Sequence, residues 1–270
     1  ADVAKKFEEP TWARNDRASK PWAEAGFVTG EETEKWFREG LDYFQPMEVA
    51  ELSFDYTRLA PSGLATETPK AHQQAMQRPE HFAIRSDGAP ITLDITVGTI
   101  AWYRDRADAK WKLEDADGKL IAEGTQTLDG EVHSLTFPVP KAGVYYFECN
   151  ESAAGWRITR KPGESLTWLP KRGKRVIPLG QFGEMFFQVP AGTKELQLFA
   201  SGPKFPVRGP DHQVIAEVQG SDEVVTIPVP KGADGTIWSF GPTSPGQIWF
   251  FNAPNGFAAS PQALLVAPMR

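Results

Sequence analysis

Short runs in which apolar and polar residues alternate recur along the chain from residue 81 onward. Residues 91–97, 110–114 and 144–149 are examples, and Asp-Gly or Ala-Gly turns separate such runs. A period of two residues is typical of a β-strand with one buried face, and Asp-Gly favours a tight turn between strands. Because no helical pattern interrupts these runs, the region is predicted to form antiparallel β-sandwich structure.

The N-terminal region follows a different pattern. Residues 31–44 carry large apolar side chains at helical spacing, with acidic residues in the first turn, and therefore predict a helix. Residues 47–59 fit either a second helix or an extended segment, and residues 60–80 have the polar, proline-containing composition of a linker. We therefore predict that residues 1–80 form a partly helical N-terminal arm and linker.

The strand-rich region contains an internal match. Residues 117–123 resemble residues 211–217, and residues 137–143 resemble residues 227–233, in the same order and roughly 90 residues apart. Matches that keep their order over this length are typical of two copies of one unit, each of which buries its own core.

This match predicts the architecture. We expect a mainly β chain with two tandem antiparallel β-sandwich domains of jelly-roll type, at residues 81–170 and 175–270. Each copy contains Pro-Val-Pro, at residues 138–140 and 228–230. Because proline cannot donate a hydrogen bond to a strand ladder, these segments must lie at a sheet edge or a strand end. The aromatic strand that follows each one should be central.

Composition and charge narrow the class of partner. The chain of 270 residues carries a net charge of -6, which argues against binding to nucleic acid. It contains no run of about 18 apolar residues, so no membrane span is predicted. Cys149 is the single cysteine, so no intrachain disulfide can form. Because the chain begins at Ala1 without a methionine, we expect a mature form after signal removal or a fragment of a longer protein.

Two segments of the first copy resemble a known family. Residues 113–120, with Asp-Ala-Asp-Gly, and residues 138–147, with Pro-Val-Pro followed by a Gly turn and an aromatic strand, resemble pre-peptidase C-terminal-like and related jelly-roll modules. The resemblance covers residues 81–268, although Asp211-His212 departs from the Asp-Gly turn. It implies an extracellular appendage of a bacterial polysaccharide-processing protein, and hence a secreted, extracellular or periplasmic location.

The aromatic content suggests candidate binding residues. The chain has nine tryptophans, and a pyranose ring stacks its apolar face on an indole while its hydroxyls bond to nearby polar groups. Strand alternation places Trp111, Trp156 and Trp238 in the core. Trp102 and Tyr103 lie in a charged loop, where exposure is expected, whereas the turn near Trp249 and Asn252 fits either exposure or burial. The predicted ligand-binding set is Trp102, Tyr103, Arg104, Asp105, Trp168, Trp249 and Asn252; Trp168 could instead pack between the modules.

Catalytic and metal signatures are weak. The four histidines are scattered and form no recognised ligand spacing, and no nucleophile elbow or phosphate-binding loop is present. Asp115 and Asp117 have the alternating oxygens of a calcium loop, but Asp-x-Asp-Gly is also a good tight turn. We therefore expect no catalytic residue and no cofactor, with Ca²⁺ at these two aspartates as a weak alternative.

These observations favour a non-catalytic extracellular accessory module that binds polysaccharide or docks to a larger carbohydrate-active partner. Two alternatives stay open. The chain could be a structural or assembly subunit of an extracellular complex, because Trp12, Trp22 and Trp36 in the arm need a surface that buries them. It could also be a glycoside hydrolase or lyase with a site between the sandwiches, since a fold alone does not exclude activity.

Overall fold

The computed structural model describes residues 52–63, 72–76, 79–151, 153–170, 183–242 and 247–270. The predicted helix at residues 31–44 and most of the predicted arm lie outside these residues. The described part is mainly β and consists of antiparallel sheets, which confirms the predicted fold class. In these segments, no helix has the length and the apolar character that crossing a membrane requires.

The N-terminal half of the described chain forms two facing sheets. In chain order its strands are β1 (Ala60–Pro61), β2 (His72–Met76), β3 (Glu80–Ser86), β4 (Ile91–Val97), β5 (Ala109–Asp115), β6 (Leu120–Gln126), β7 (Val132–Phe137), β8 (Gly143–Asn150), β9 (Trp156–Arg160) and β10 (Thr167–Trp168). One sheet has the order β10-β3-β8-β5-β6 and the other β2-β9-β4-β7. The sheets meet where Phe82 packs edge-on against Trp156, with 5.7 Å between ring centroids.

The alternation of side chains explains this packing. In β4 the residues Ile91, Leu93 and Ile95 are buried, and in β8 Tyr145 and Phe147 are buried, while the residues between them are less so. One face of each strand therefore lies in the interior between the sheets. The predicted core positions Trp156 and Trp238 are fully buried, and Trp111 packs partly buried against the same core.

The C-terminal half has the same kind of layering. Its strands are β11 (Met185–Gln188), β12 (Glu195–Ser201), β13 (Phe205–Arg208), β14 (Val214–Val218), β15 (Ser221–Pro228), β16 (Ile237–Phe240), β17 (Gln247–Phe250) and β18 (Leu265–Val266). The sheets have the orders β11-β16-β13-β14 and β15-β12-β17. Phe187 and Phe250 stack between these sheets with their ring centroids 4.5 Å apart.

The strand orders of the two halves correspond. The order β3-β8-β5-β6 matches β11-β16-β13-β14, and β9-β4-β7 matches β17-β12-β15. The Pro-Val-Pro segments lie at the C-terminal ends of the edge strands β7 and β15, and the following strands β8 and β16 lie inside their sheets. The predicted edge position of the Pro-Val-Pro segments and the predicted inner position of the strands that follow them are both confirmed. Proline is tolerated at the end of an edge strand because its missing N–H leaves no gap in a strand ladder there.

The two halves meet at a junction made by short segments. Residues 52–63 pair with the C-terminal segment through β1 and β18, and Trp168 of β10 bridges to Phe257. The buried apolar residues of both halves form a contiguous cluster that includes Trp168 and Phe257. The predicted boundary between residues 170 and 175 falls largely outside the described residues. Residues 60–80 were predicted to be a linker, but the structure places the two strands β1 and β2 in this segment.

Candidate functional site

The loop between β4 and β5 carries the first group of predicted binding residues, and the protein holds it firmly. The backbone N–H of Gly98 donates to the Gly155 carbonyl over 2.8 Å, and that of Ile100 donates to the Ala154 carbonyl, also over 2.8 Å. A 3-10 turn at Ala101–Tyr103 follows directly. The loop is therefore tied to the segment before β9, and its side chains project from a fixed base.

Trp102 is the most exposed large apolar side chain of this loop. It is 77% exposed, and its ring lies edge-on to Tyr103 at 6.2 Å between centroids. Tyr103 is half-buried and packs against the hydrophobic core, while the guanidinium carbon of Arg106 lies 5.0 Å from its ring centroid. The Tyr103 ring thus supports the Trp102 ring from the protein side and leaves much of the indole surface open.

Arg104 is positioned by two neighbouring turns. Its Nε donates to the Gly98 carbonyl over 2.6 Å, and its guanidinium lies against Gly130, which has a positive φ of 80°. Beside it, the backbone N–H of Glu131 and the side chain of His133 both bond to Asp129, and these bonds lower the pKa of that carboxyl. Arg104 and Asp105 are both exposed in the same loop as Trp102.

The remaining predicted ligand residues lie in other surroundings. Trp168 is 1% exposed, and its Nε1 donates to Glu80 over 2.9 Å at the junction, so its ring offers no face to a ligand. This correction follows from the pairing of β10 with β3, which encloses the indole. At the junction between the two halves, the rings of Trp168 and Phe257 pack together with 5.7 Å between their centroids.

Trp249 and Asn252, predicted to bind a ligand together, have different surroundings in the structure. Trp249 is half-buried on β17 and lines a cleft of about 250 Å³ with Phe54 and Leu169. Asn252 uses its amide to hold β12, since its Oδ1 accepts from the Gln197 N–H over 2.9 Å and its Nδ2 donates to the Glu195 carbonyl over 2.6 Å. The described hydrogen bonds of Asn252 therefore serve the strand and not a ligand at Trp249.

The predicted calcium loop is built as a turn. Oδ1 of the buried Asp115 accepts backbone hydrogen bonds from Asp117 over 3.0 Å and from Lys119 over 2.9 Å, and Gly118 follows with φ of 76°. Asp117 is exposed. Among the described residues, no group of three or more His, Cys, Asp or Glu side chains is placed to hold a metal ion. The arrangement supports the tight-turn interpretation of this motif.

One polar cluster was not predicted from the sequence. Glu184, Arg208, His212 and Ser239 come together on the outer face of the sheet that contains β11 and β16. They are far apart in the chain and meet because Phe186 pairs with Ser239 and Arg208 pairs with Ser239 across the ladder. The sequence gives one indication of this cluster, the Asp211-His212 turn, which departs from the Asp-Gly turn of the first half.

No family model matches the chain, and no curated protein matches it. The resemblance to pre-peptidase C-terminal-like modules therefore stays a prediction, and the geometry described above carries the functional argument.

Proposed function

We propose that the chain is a non-catalytic accessory module, secreted or periplasmic, that binds polysaccharide through the exposed ring of Trp102. In this proposal the two halves are copies of one sandwich unit of the pre-peptidase C-terminal-like type. The corresponding strand orders and the paired Pro-Val-Pro edges support the duplication. The exposure of Trp102 is the observation that carries the binding role, because an indole held in water by a fixed loop presents an apolar face on which a sugar ring can stack.

The surroundings of Trp102 fit a sugar chain. The indole offers an apolar face for the C–H groups of a pyranose, while Arg104 and Asp105 on the same loop supply a donor and acceptors for its hydroxyls. Because Nε of Arg104 is already bonded to Gly98, the guanidinium is held in place before a ligand arrives. A preorganised contact loses less conformational entropy on binding, which favours affinity from a small surface.

Affinity gel electrophoresis of the full chain in soluble plant, algal and bacterial polysaccharides tests this proposal. We expect at least one polysaccharide to retard the protein, and Trp102→Ala to weaken that interaction about tenfold, the equivalent of about 1.4 kcal/mol. Trp102→Phe should keep part of the effect, since it retains an aromatic face. Leu120→Ala, which removes another exposed apolar side chain on β6, is the matched control. Absence of retardation in every polysaccharide contradicts the proposal.

Docking to a larger protein is a second candidate function, and the exposure of the Val132 side chain favours it. Val132 is 67% exposed at the start of β7, where it pairs with Thr96, close to the point where the Trp102 loop leaves β4. Two exposed apolar residues with a charged border resemble the centre and rim of a protein interface. Val132→Ala separates the candidates, because it should weaken protein docking but leave stacking of a sugar on Trp102 unchanged.

A further inference from the structure

A second cleft, remote in sequence from the Trp102 loop, lies on the outer face of β11 and β16. It has a volume of about 440 Å³, within the range of small-molecule sites. Its floor contains Phe186, Gln188 and Ser239, and the turn that carries His212 forms one side. Pro261 belongs to its border on the C-terminal segment. The cleft therefore combines an aromatic ring with several hydrogen-bonding groups.

Glu184 orients the polar groups at one end of this cleft. Its Oε1 accepts a hydrogen bond from the Ser239 hydroxyl over 2.6 Å and lies 3.8 Å from Nδ1 of His212. Nη1 of Arg208 is 4.0 Å from the same oxygen and donates to the Gly241 carbonyl over 2.5 Å. Glu184 and Arg208 lie next to the cleft and not in its lining, and their opposite charges offset each other there.

His212 occupies a backbone position that favours glycine. Among the described residues, His212 is the single non-glycine residue with a positive φ, at 62°. In the corresponding turn of the first half, the residue with positive φ is Gly118, at 76°. Glycine adopts this conformation without steric cost, whereas a side chain with a Cβ is strained. Strain kept at one position points to a use for the side chain. Here the imidazole is 67% exposed and lies edge-on to Phe186, with 6.5 Å between ring centroids.

Gln188 supplies an unused acceptor. Its Oε1 is buried and has no hydrogen-bond partner in the described structure. A buried acceptor without a partner costs free energy, and a donor from a bound molecule would remove that cost. Gln188 shares the outward face of β11 with Phe186, and both residues line the cleft, so a turn of its amide toward the cleft would let a molecule that touches the ring reach this oxygen.

We propose that this cleft binds a neutral polyhydroxylated ligand of the size of a mono- or disaccharide. An apolar ring face would pack on Phe186, a ligand hydroxyl would donate to Gln188, and others would bond to Ser239 and His212. The described residues that line the cleft include no Asp, Glu, Lys or Arg, which favours a neutral ligand over an anion or a cation. This site uses none of the residues of the Trp102 loop, so it stands independently of the function proposed above.

Calorimetric titration of the full chain with glucose, galactose, mannose and xylose tests the proposal, with glucuronate and glucosamine as charged comparisons. We expect a neutral sugar to bind at millimolar concentration and Gln188→Met to weaken its binding about tenfold. His212→Gly should also weaken binding while raising the melting temperature by about 2–4 °C, since it relieves the backbone strain. His212→Asn, which keeps a Cβ in this turn, should lose affinity with a smaller gain in stability than His212→Gly.

Three outcomes overturn the proposal: no neutral sugar binds, the Gln188 and His212 variants bind as the unaltered chain does, or a charged analogue binds more tightly. Trp102→Ala distinguishes the two sites. It should leave sugar binding at this cleft unchanged, and loss of that binding in Trp102→Ala assigns it to the Trp102 loop and contradicts a second site. If polysaccharide retards the unaltered chain but no small sugar binds to it, the Trp102 proposal still stands. That result contradicts the proposal of a sugar site at this cleft.

Discussion

The guanidinium of Arg104 occupies the space next to Gly130 that a side chain there would fill. A Cβ added to Gly130 would lie 1.8 Å from Nη2 of Arg104 and 2.4 Å from its Cζ, far inside van der Waals contact. Gly130 therefore serves two purposes, since it adopts a positive φ of 80° and leaves room for the arginine. The conformation of the Trp102 loop depends on this residue of another turn.

Gly130→Ala should loosen the Trp102 loop. The substitution pushes Arg104 away from its bond to Gly98 and, in addition, places a Cβ at positive φ, which costs about 1–2 kcal/mol. Gly118→Ala is the matched control, because Gly118 has a similar φ of 76° with no atom within 4 Å of the added Cβ. In urea unfolding we expect both variants to lose stability, and Gly130→Ala to lose more because it also displaces Arg104. Only Gly130→Ala should speed amide hydrogen exchange in residues 98–108; equal exchange in both variants contradicts the role of Arg104.

The ring contact between Trp168 and Phe257 should couple the two halves energetically. Their centroids are 5.7 Å apart at the junction, and such aromatic pairs contribute about 0.5–1.5 kcal/mol beyond burial. A double-mutant cycle with Trp168→Leu and Phe257→Leu, followed by urea unfolding, should give a coupling energy in that range. The control cycle pairs Phe257→Leu with Trp156→Leu, whose indole packs between the sheets of the first half, and should be additive. Additivity in both cycles contradicts an energetic role for the contact.

The fold was largely predictable because its signals are local. Alternating runs identified most strands of the region from residue 81 onward, and the prolines of the Pro-Val-Pro segments identified edges in both halves. Strand β2 was missed because His72–Met76 has the composition of a linker, and its pairing with β9 is made by the backbone. The sequence does not decide whether Trp168 is exposed or buried, because only the docking of β10 on β3 encloses its ring.

The candidate sites were predictable only in part. Trp102 lies in a charged segment after a strand, and that pattern alone indicated exposure. The cluster around Glu184 depends on contacts between residues 184 and 239, which the register of β11 against β16 creates and no local pattern records. His212 in place of a turn glycine was visible in the sequence, but its position above Phe186 required the fold.

Cys149 should be inert in the native protein. Burial raises the pKa of its thiol well above the usual value, and the nearby carboxylates of Glu151 and Glu148 add to the effect. The thiolate is the reactive form, so a disulfide reagent should leave the folded chain unmodified at mildly alkaline pH and react with one thiol after denaturation. Fast reaction of the native chain contradicts the buried position. Cys149→Ala gives the background rate, because the chain has no other cysteine.

Tyr146 should make stability fall at high pH. Burial, and secondarily the charge of Asp55, raise the pKa of its phenol to about 12, and its hydroxyl donates to the backbone carbonyl of Tyr56. A tyrosine in an unfolded chain has a pKa of 10.0. Between these two values the unfolded state releases the proton while the folded state keeps it, so the free energy of unfolding decreases as pH rises through this window.

Tyr146→Phe tests this linkage, because phenylalanine keeps the ring and removes the ionisable group. The variant should be less stable than the unaltered chain near neutral pH, by about 0.5–1.5 kcal/mol for the lost hydrogen bond. The difference should shrink as pH rises from about 10 toward 12, since only the unaltered chain loses the contribution of Tyr146 there. Tyr145→Phe is the control, because its hydroxyl bonds to the Lys141 carbonyl within one hairpin of the first half. A stability difference for Tyr146→Phe that stays constant across this window excludes the assigned pKa, whereas a shrinking difference shows that the pKa of Tyr146 is raised in the folded chain.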